Sequence, residues 1–355
     1  MHRFLAVIVL ILMAPLVAEV LPGSTPIASP ALLLSDVLIY GSGALLIREL
    51  VRHRGRGWPS ILLLGAAYGL IEEGLALQSL FNPAYNHVSE WGARVLGING
   101  VYTELVIIIH VAWSAAIPIL LTELLFPAQR STPYLHRFGL VATSIWYILG
   151  VALLGLFART AYPYDTPPLL LGLVLVIALL LAVIALGVVP LQSPRQPLQL
   201  KAPQPRAVLL VSVIGAFAGL ALPALLWRAQ PAFAHFPLVL VPLLGTLGIV
   251  AAMIWLVRHW AQAGDWSDRH RLALAGGALL AHSVVGGLIF TKTASQGITI
   301  LVLTLVMIGL LGLFAIKVRG RVDALASAAR SEGQLLPMAA PHETKQLVGQ
   351  GKRPI

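Results

Sequence analysis

The sequence predicts an all-α integral membrane protein, a polytopic bundle of about ten transmembrane helices. Of its 355 residues 58% are hydrophobic and 11% charged, whereas a soluble domain carries about 25% charged residues. The mean hydropathy is +0.87, and apolar runs long enough to cross about 30 Å of hydrocarbon recur from end to end. These observations exclude a soluble globular domain.

Ten apolar runs, each ended by charged residues, proline or glycine, are the predicted spans. Helix is the expected form, because lipid offers no partner to an open strand edge. A helix needs about 20 residues to cross the bilayer. The spans are approximately 4–20, 31–47, 60–79, 101–126, 139–157, 168–190, 207–227, 236–257, 272–290 and 297–317.

The spans form one predicted membrane domain, residues 1–317, followed by a short tail. A Pro- and Gln-rich segment, 191–206, is predicted to be a cytoplasmic linker between a six-helix part and a four-helix part. The tail, 318–355, mixes Gly, Ser, Pro and charges, a composition typical of disorder.

Basic residues fix the predicted orientation. Of the 24 lysines and arginines, only Arg94, Arg159, Arg228 and Lys292 fall on one side when the spans alternate. Basic residues concentrate in cytoplasmic loops, so both termini are predicted to be cytoplasmic, in a plasma or inner membrane. Residues 1–18 also fit a cleaved signal peptide, which would leave nine spans and the same topology.

The net charge of +10 does not indicate a nucleic-acid partner. The basic residues are spread over short loops instead of forming one polar face, and the expected partner is the lipid bilayer.

Five ionisable residues fall inside predicted spans, where a charge costs roughly 2.5 to 3.5 kcal/mol on insertion scales. They are Asp36, Glu72, Glu73, His110 and His282. At 1.5 Å per residue, Asp36 lies about 8 Å, Glu72 about 11 Å, His110 about 13 Å and His282 about 12 Å from the external end of its span. The shared depth predicts a common cavity in the outer half of the bilayer.

Helical periodicity indicates which way these groups point. Glu72 and Glu73 share one sector of their helix with Gly65 and Gly69, and small residues mark faces where helices approach closely. Both glutamates should therefore face the bundle interior.

Two neighbouring helices carry similar stripes. Tyr40 lies one turn from Asp36, and Ser114 one turn from His110. Tyr40 and Ser114 are therefore further candidate binding residues. The external loop 81–100 is expected to cap the cavity, while Glu104 and Glu123 are expected to reach water near the ends of the fourth span.

The sequence predicts neither a metal site nor a cofactor. There is no cysteine, and no short ligand spacing supports zinc binding by His110, His282 and Glu72. Nucleotide-binding loops, His-Glu-x-x-His and Gly-x-Ser-x-Gly are also missing from the sequence, which excludes ATP-driven transport by this chain alone and the better-marked hydrolases.

Adjacent glutamates in a membrane helix, with histidines on later helices, resemble the intramembrane glutamic endopeptidases of the CPBP type. Those proteins carry Glu-Glu-x-x-x-Arg, and Leu77 occupies the arginine position here. Their histidines also lie closer together in sequence than His110 and His282.

Three hypotheses follow for function. Proton- or cation-coupled transport of a small molecule leads, with Glu72 or Glu73 exchanging the proton or cation. The alternative is an intramembrane hydrolase or peptidase of the glutamate type, and the third is a non-catalytic component of a larger membrane assembly. The leading hypothesis leans away from an enzyme.

Overall fold

Ten long helices make up almost all of the computed structural model, which describes residues 2–85, 92–191, 198–229 and 231–335. They are α1 (His2–Val20), α2 (Pro30–His53), α3 (Trp58–Gly69 continued by Leu70–Ala76), α4 (Gly100–Leu125), α5 (Arg137–Ala161), α6 (Pro168–Val188), α7 (Pro205–Ala229), α8 (Leu240–Trp260), α9 (Asp268–Phe290) and α10 (Ala294–Leu335). The predicted all-α membrane bundle is confirmed.

Nine of these helices, within the described residues, are long and apolar enough to cross a membrane. The exception is α3, the helix that carries Glu72 and Glu73. The placement of both termini in the cytoplasm stays a prediction, and "outer" below means the side predicted to be external.

Two apolar cores share α4. One contains Leu10, Ile39, Ile61 and Ile119, contributed by α1 to α4, with α5 and α6 packed around them. The other joins α4 to α7, α9 and α10. In the second core α9 packs so closely on α7 that a Cβ at Gly277 would lie 2.5 Å from the Leu209 carbonyl oxygen. Helix α4 is therefore the centre of the bundle.

The described part of the predicted tail is helical. Helix α10 continues beyond residue 317 to Leu335, where Asp323 pairs with Arg269 of α9 and with Arg319 one turn away. Such pairs and the alanine-rich sequence stabilise a helix, which explains the departure from predicted disorder over 318–335. Residues 336–355 lie outside the described residues, as do residues 192–197 of the predicted linker.

The outer segment between α3 and α4 folds back on the bundle. Its second half forms a short hairpin, Arg94–Val95 with Ile98–Asn99. Arg94 donates to the carbonyl of Phe81 at 2.7 Å. His87, Glu90 and Trp91, expected to cap the cavity, lie outside the described residues.

Candidate functional site

Four helices widen into π-helix where they meet in the outer half of the bundle. The π-helical stretches are Leu16–Val20, Val37–Gly41, Leu70–Ala76 and His110–Ala116. Such stretches are rare and frequently occur at functional sites. Around them lies the outer cluster, which we define as Glu19, Asp36, Tyr40, Tyr68, Glu72, Glu73, His110 and Ser114.

Glu73 and His110 form the best-defined pair of the outer cluster. His110 Nε2 lies 3.1 Å from Glu73 Oε1. The other oxygen of Glu73 accepts hydrogen bonds from the hydroxyls of Ser79 and Tyr102, the latter at 3.2 Å. Both oxygens of Glu73 are thus occupied, and the carboxylate fixes the orientation of the imidazole.

Glu72 differs from its neighbour because one of its oxygens is free. The side chain is buried, and Oε2 has no hydrogen-bond partner among the described residues. That oxygen lies 3.6 Å from His110 Nδ1, and the same nitrogen lies 3.0 Å from Ser114 Oγ. Of the two adjacent glutamates, Glu72 is therefore the one available to a ligand or to water.

Tyrosine rings enclose the imidazole. Tyr40 stacks on His110 with a centroid distance of 6.1 Å, and Tyr68 meets it edge-on at 5.5 Å. The Tyr68 hydroxyl is also buried and has no hydrogen-bond partner among the described residues. The Tyr147 hydroxyl of α5 is a third such group.

Sequence reasoning missed Glu19, although it is a carboxylate inside a predicted span. It accepts hydrogen bonds from Tyr40 OH at 2.7 Å and from Ser24 Oγ at 2.6 Å. Asp36, which was predicted, is buried nearby with Oδ2 unpartnered. The structure thus brings together six of the seven predicted site residues and adds Glu19 and Tyr68.

His282 is the predicted residue that lies apart from the outer cluster. Its ring stacks on Trp113 with centroids 4.8 Å apart, and Nε2 lies 3.4 Å from the Ala18 carbonyl oxygen. Counting residues gave the depth of His282 but not the side of α4 on which it lies. The expected proximity of His282 to His110 does not occur.

Charge is unbalanced in the outer cluster. Four carboxyl groups, Glu19, Asp36, Glu72 and Glu73, surround one imidazole, and no lysine or arginine of the described chain is paired with them. Uncompensated carboxylates are costly at low dielectric. The cluster must therefore hold protons or a cation. No group of His, Asp and Glu among the described residues has the arrangement of a metal site.

An apolar layer closes the cluster on its inner side. Leu45, Ile61, Ala115 and Ile119 are almost completely buried there. Along α4 the layer spans two helical turns, about 12 Å, between Ser114 and Thr122. Along α4, apolar side chains therefore separate the outer cluster from the inner half of the bundle.

A second buried polar group, the inner network, lies below this layer and was missed from the sequence. We define it as Arg48, Glu49, Arg52 and Glu123. Arg52 binds Glu123 through both carboxylate oxygens at 2.7 and 2.9 Å, and Arg48 binds Glu49 at 2.7 Å. The expectation that Glu123 reaches water was wrong, because α2 continues to His53 and carries both arginines into the protein.

The loop after α4 completes the inner network. Glu49 accepts from the backbone amides of Tyr134 and Leu135, and the Arg48 guanidinium lies over the Tyr134 ring, 3.2 Å from its centre. Burial raises the pKa of Tyr134 to about 12, so this ring is uncharged at neutral pH.

Comparisons with known proteins identify a family but no activity. A family model described as "Uncharacterized membrane protein family" matches residues 8–233, which include the whole outer cluster but not His282. No curated protein and no solved structure matches the chain.

Proposed function

The chain belongs to that uncharacterized membrane protein family, and we propose that it is an intramembrane hydrolase whose outer cluster activates water. The observation that carries the proposal is the Glu73–His110 hydrogen bond of 3.1 Å beside Glu72, whose Oε2 is buried and unpartnered. A positioned base next to an oriented imidazole is the arrangement that general acid–base catalysis requires.

In the proposed reaction Glu72 and His110 are the catalytic residues. Glu72 takes a proton from water as the water oxygen bonds to the substrate carbonyl carbon. The proton passes to His110, 3.6 Å away, which donates it to the leaving nitrogen or oxygen as the scissile bond breaks. One water is consumed and two products with their protons are released, without a cofactor.

Two further groups have supporting roles. Glu73 is a positioning residue, because its oxygens are already engaged by Tyr102, Ser79 and His110. The unpartnered hydroxyls of Tyr68 and Tyr147 are donors for the charge that develops on the carbonyl oxygen.

The resemblance to CPBP-type endopeptidases supports this assignment at Glu72, Glu73 and His110 only. His282 has no role in the proposed reaction, since it lies against Trp113. The position of the arginine in those endopeptidases is occupied here by the uncharged Leu77. The apolar layer also favours hydrolysis, because an enzyme needs an opening on one side only, whereas a transporter must open on both sides.

Proteoliposomes containing quenched fluorescent transmembrane peptides and labelled ester lipids test the proposal. Glu72→Gln should lower kcat by about 10² to 10⁴, the usual contribution of a general base. Glu73→Gln should lower kcat about 10- to 100-fold with KM unchanged, and Glu73→Asp should recover part of it. Equal turnover in wild type and Glu72→Gln, or none in wild type, contradicts the proposal.

Proton- or cation-coupled transport is the second candidate, favoured by the four carboxyls that share one imidazole. It requires the apolar layer below Ser114 to open. Uptake of a small molecule driven by a pH gradient in wild type, and lost in Glu72→Gln without any hydrolysis, would support transport instead.

A further inference from the structure

Helix α5 covers the outer cluster as a single layer of helix. It packs on the π-helical stretches of α2 and α3, and only Gly150 and Ala158 of its 25 residues are buried. Trp146, Leu149 and Leu153 are about half exposed, as lipid-facing side chains are. A single helix therefore separates Glu72 from the bilayer.

Two glycines bring α5 into close contact with the backbones of α2 and α3. A Cβ at Gly150 would lie 3.0 Å from the Ile39 amide nitrogen, and one at Gly155 would lie 3.7 Å from Ala76 Cα. The line of contact between α5 and residues 37–41 and 70–76 is called the seam below.

The seam is held by van der Waals contact. Among the described residues, no hydrogen bond or ion pair joins α5 to another helix, since Thr143, Ser144 and Thr160 all bond to carbonyls of α5 itself. The first polar link, from Asn82 to the Tyr162 carbonyl at 3.0 Å, lies beyond the helix end.

The outer end of the seam adjoins the Asn82–Tyr162 hydrogen bond. A small crevice there is lined by Ala76, Leu77, Gln78, Asn82, Ala158 and Tyr162. Behind the seam lie the unpartnered Glu72 Oε2 and Tyr68 hydroxyl, each on a residue more than nine-tenths buried. Opening the seam would therefore break packing contacts but no hydrogen bond or ion pair among the described residues.

We propose that α5 is a lateral gate, and that a transmembrane peptide segment enters the outer cluster through the seam. The proposal rests on the hydrolase function for its substrate. Depth favours a peptide over a lipid ester, because His110 lies about 15 Å along α4 from its outer end at Gly100, which is inside the edge of the hydrocarbon core. Lipid ester groups lie at the edge of that core, whereas a transmembrane peptide has carbonyls at every depth.

Thiol labelling tests the gate without any enzymatic assay, because the chain has no native cysteine. Ala76→Cys lies on the seam, and Ala115→Cys is an equally buried control inside the core. In liposomes, N-ethylmaleimide should modify Ala76→Cys at least about tenfold faster than Ala115→Cys, the difference given by about 1.4 kcal/mol in opening free energy. Equal rates overturn the gate.

A disulfide across the seam tests the route. Ala76→Cys with Gly155→Cys places one thiol on each side of the seam, where a Cβ at Gly155 would lie 3.7 Å from Ala76 Cα. Leu135→Cys with Gly139→Cys, whose Cβ atoms lie 3.3 Å apart, is a control at the inner end of α5. Oxidation should lower transmembrane-peptide cleavage at least about tenfold in the first variant only, and reduction should restore it.

Three results separate the claims. Unchanged peptide cleavage by the oxidised seam variant overturns the route but leaves the hydrolase. Cleavage of the ester lipid in place of the peptide overturns the substrate class. Fast labelling of Ala76→Cys in a protein that cleaves neither substrate supports the gate and overturns the hydrolase.

Discussion

Two buried polar clusters share helices α2 and α4, and their buried carboxylates are balanced in different ways. In the inner network two arginines face two glutamates within 3.3 Å. In the outer cluster four carboxyls share one imidazole. Along both helices the backbone changes from π-helix at the outer cluster to α-helix at the inner network.

The difference distinguishes a structural polar cluster from a functional one. A network whose charges are paired holds the helices and the loop 126–136 in place and needs no further ligand or proton to balance its charges. A cluster with unpaired acceptors and widened helices is costly to maintain, and such cost is concentrated at functional sites.

The largest stability effect should come from breaking the inner network. Arg48→Met keeps the apolar stem but leaves Glu49 and Glu123 short of a cation, so we expect a loss of about 3 to 5 kcal/mol in the free energy of unfolding. Denaturant titration in micelles measures it. Arg54→Met, at an exposed position six residues further along the chain, should change it by less than about 0.5 kcal/mol. Equal stability of both variants would remove the contrast between the two clusters.

A smaller effect is expected where α5 covers the outer cluster. Gly150→Leu places a side chain against the Ile39 backbone and should cost about 1 to 3 kcal/mol through overpacking. Gly172→Leu on α6, where a Cβ meets nothing within 4 Å, is the matched control and should be nearly neutral. If Gly150→Leu and Gly172→Leu have the same free energy of unfolding, the seam is not tightly packed at Gly150.

The smallest effect should come from a single hydrogen bond inside the outer cluster. Tyr40→Phe removes the 2.7 Å bond to Glu19 and should cost about 0.5 to 1.5 kcal/mol. Tyr147→Phe removes a hydroxyl that has no hydrogen-bond partner among the described residues and should cost less. A loss in Tyr40→Phe as large as that in Arg48→Met would mean that the outer cluster, too, is a structural network.

Hydropathy predicted the fold well because the thickness of a membrane dictates the length of an apolar helix. The same reasoning misplaced Arg48 and Arg52. Counting basic residues assigns them to a loop, whereas buried glutamates allow α2 to carry them inside for two more turns. Charge counting has no access to a partner such as Glu123, which is distant in sequence.

The candidate site was predicted by residue type and depth. Glu72, Glu73 and His110 were found because ionisable groups stand out in apolar spans. Depth alone did not separate His110 from His282, since the two residues face different neighbours of α4. The π-helical widening that lets Glu73 reach His110 has no simple sequence signature, and Glu19 was not singled out because it sits at the end of its span.

The central claim is that the outer cluster serves function and contributes little to stability. Measuring both the free energy of unfolding and the rate of substrate hydrolysis for Glu72→Gln tests it most directly. We expect unfolding within about 1 kcal/mol of wild type, because removing one of four carboxyls relieves repulsion, together with a loss of turnover of at least about 100-fold. A variant that unfolds easily yet turns substrate over at the wild-type rate would contradict the account.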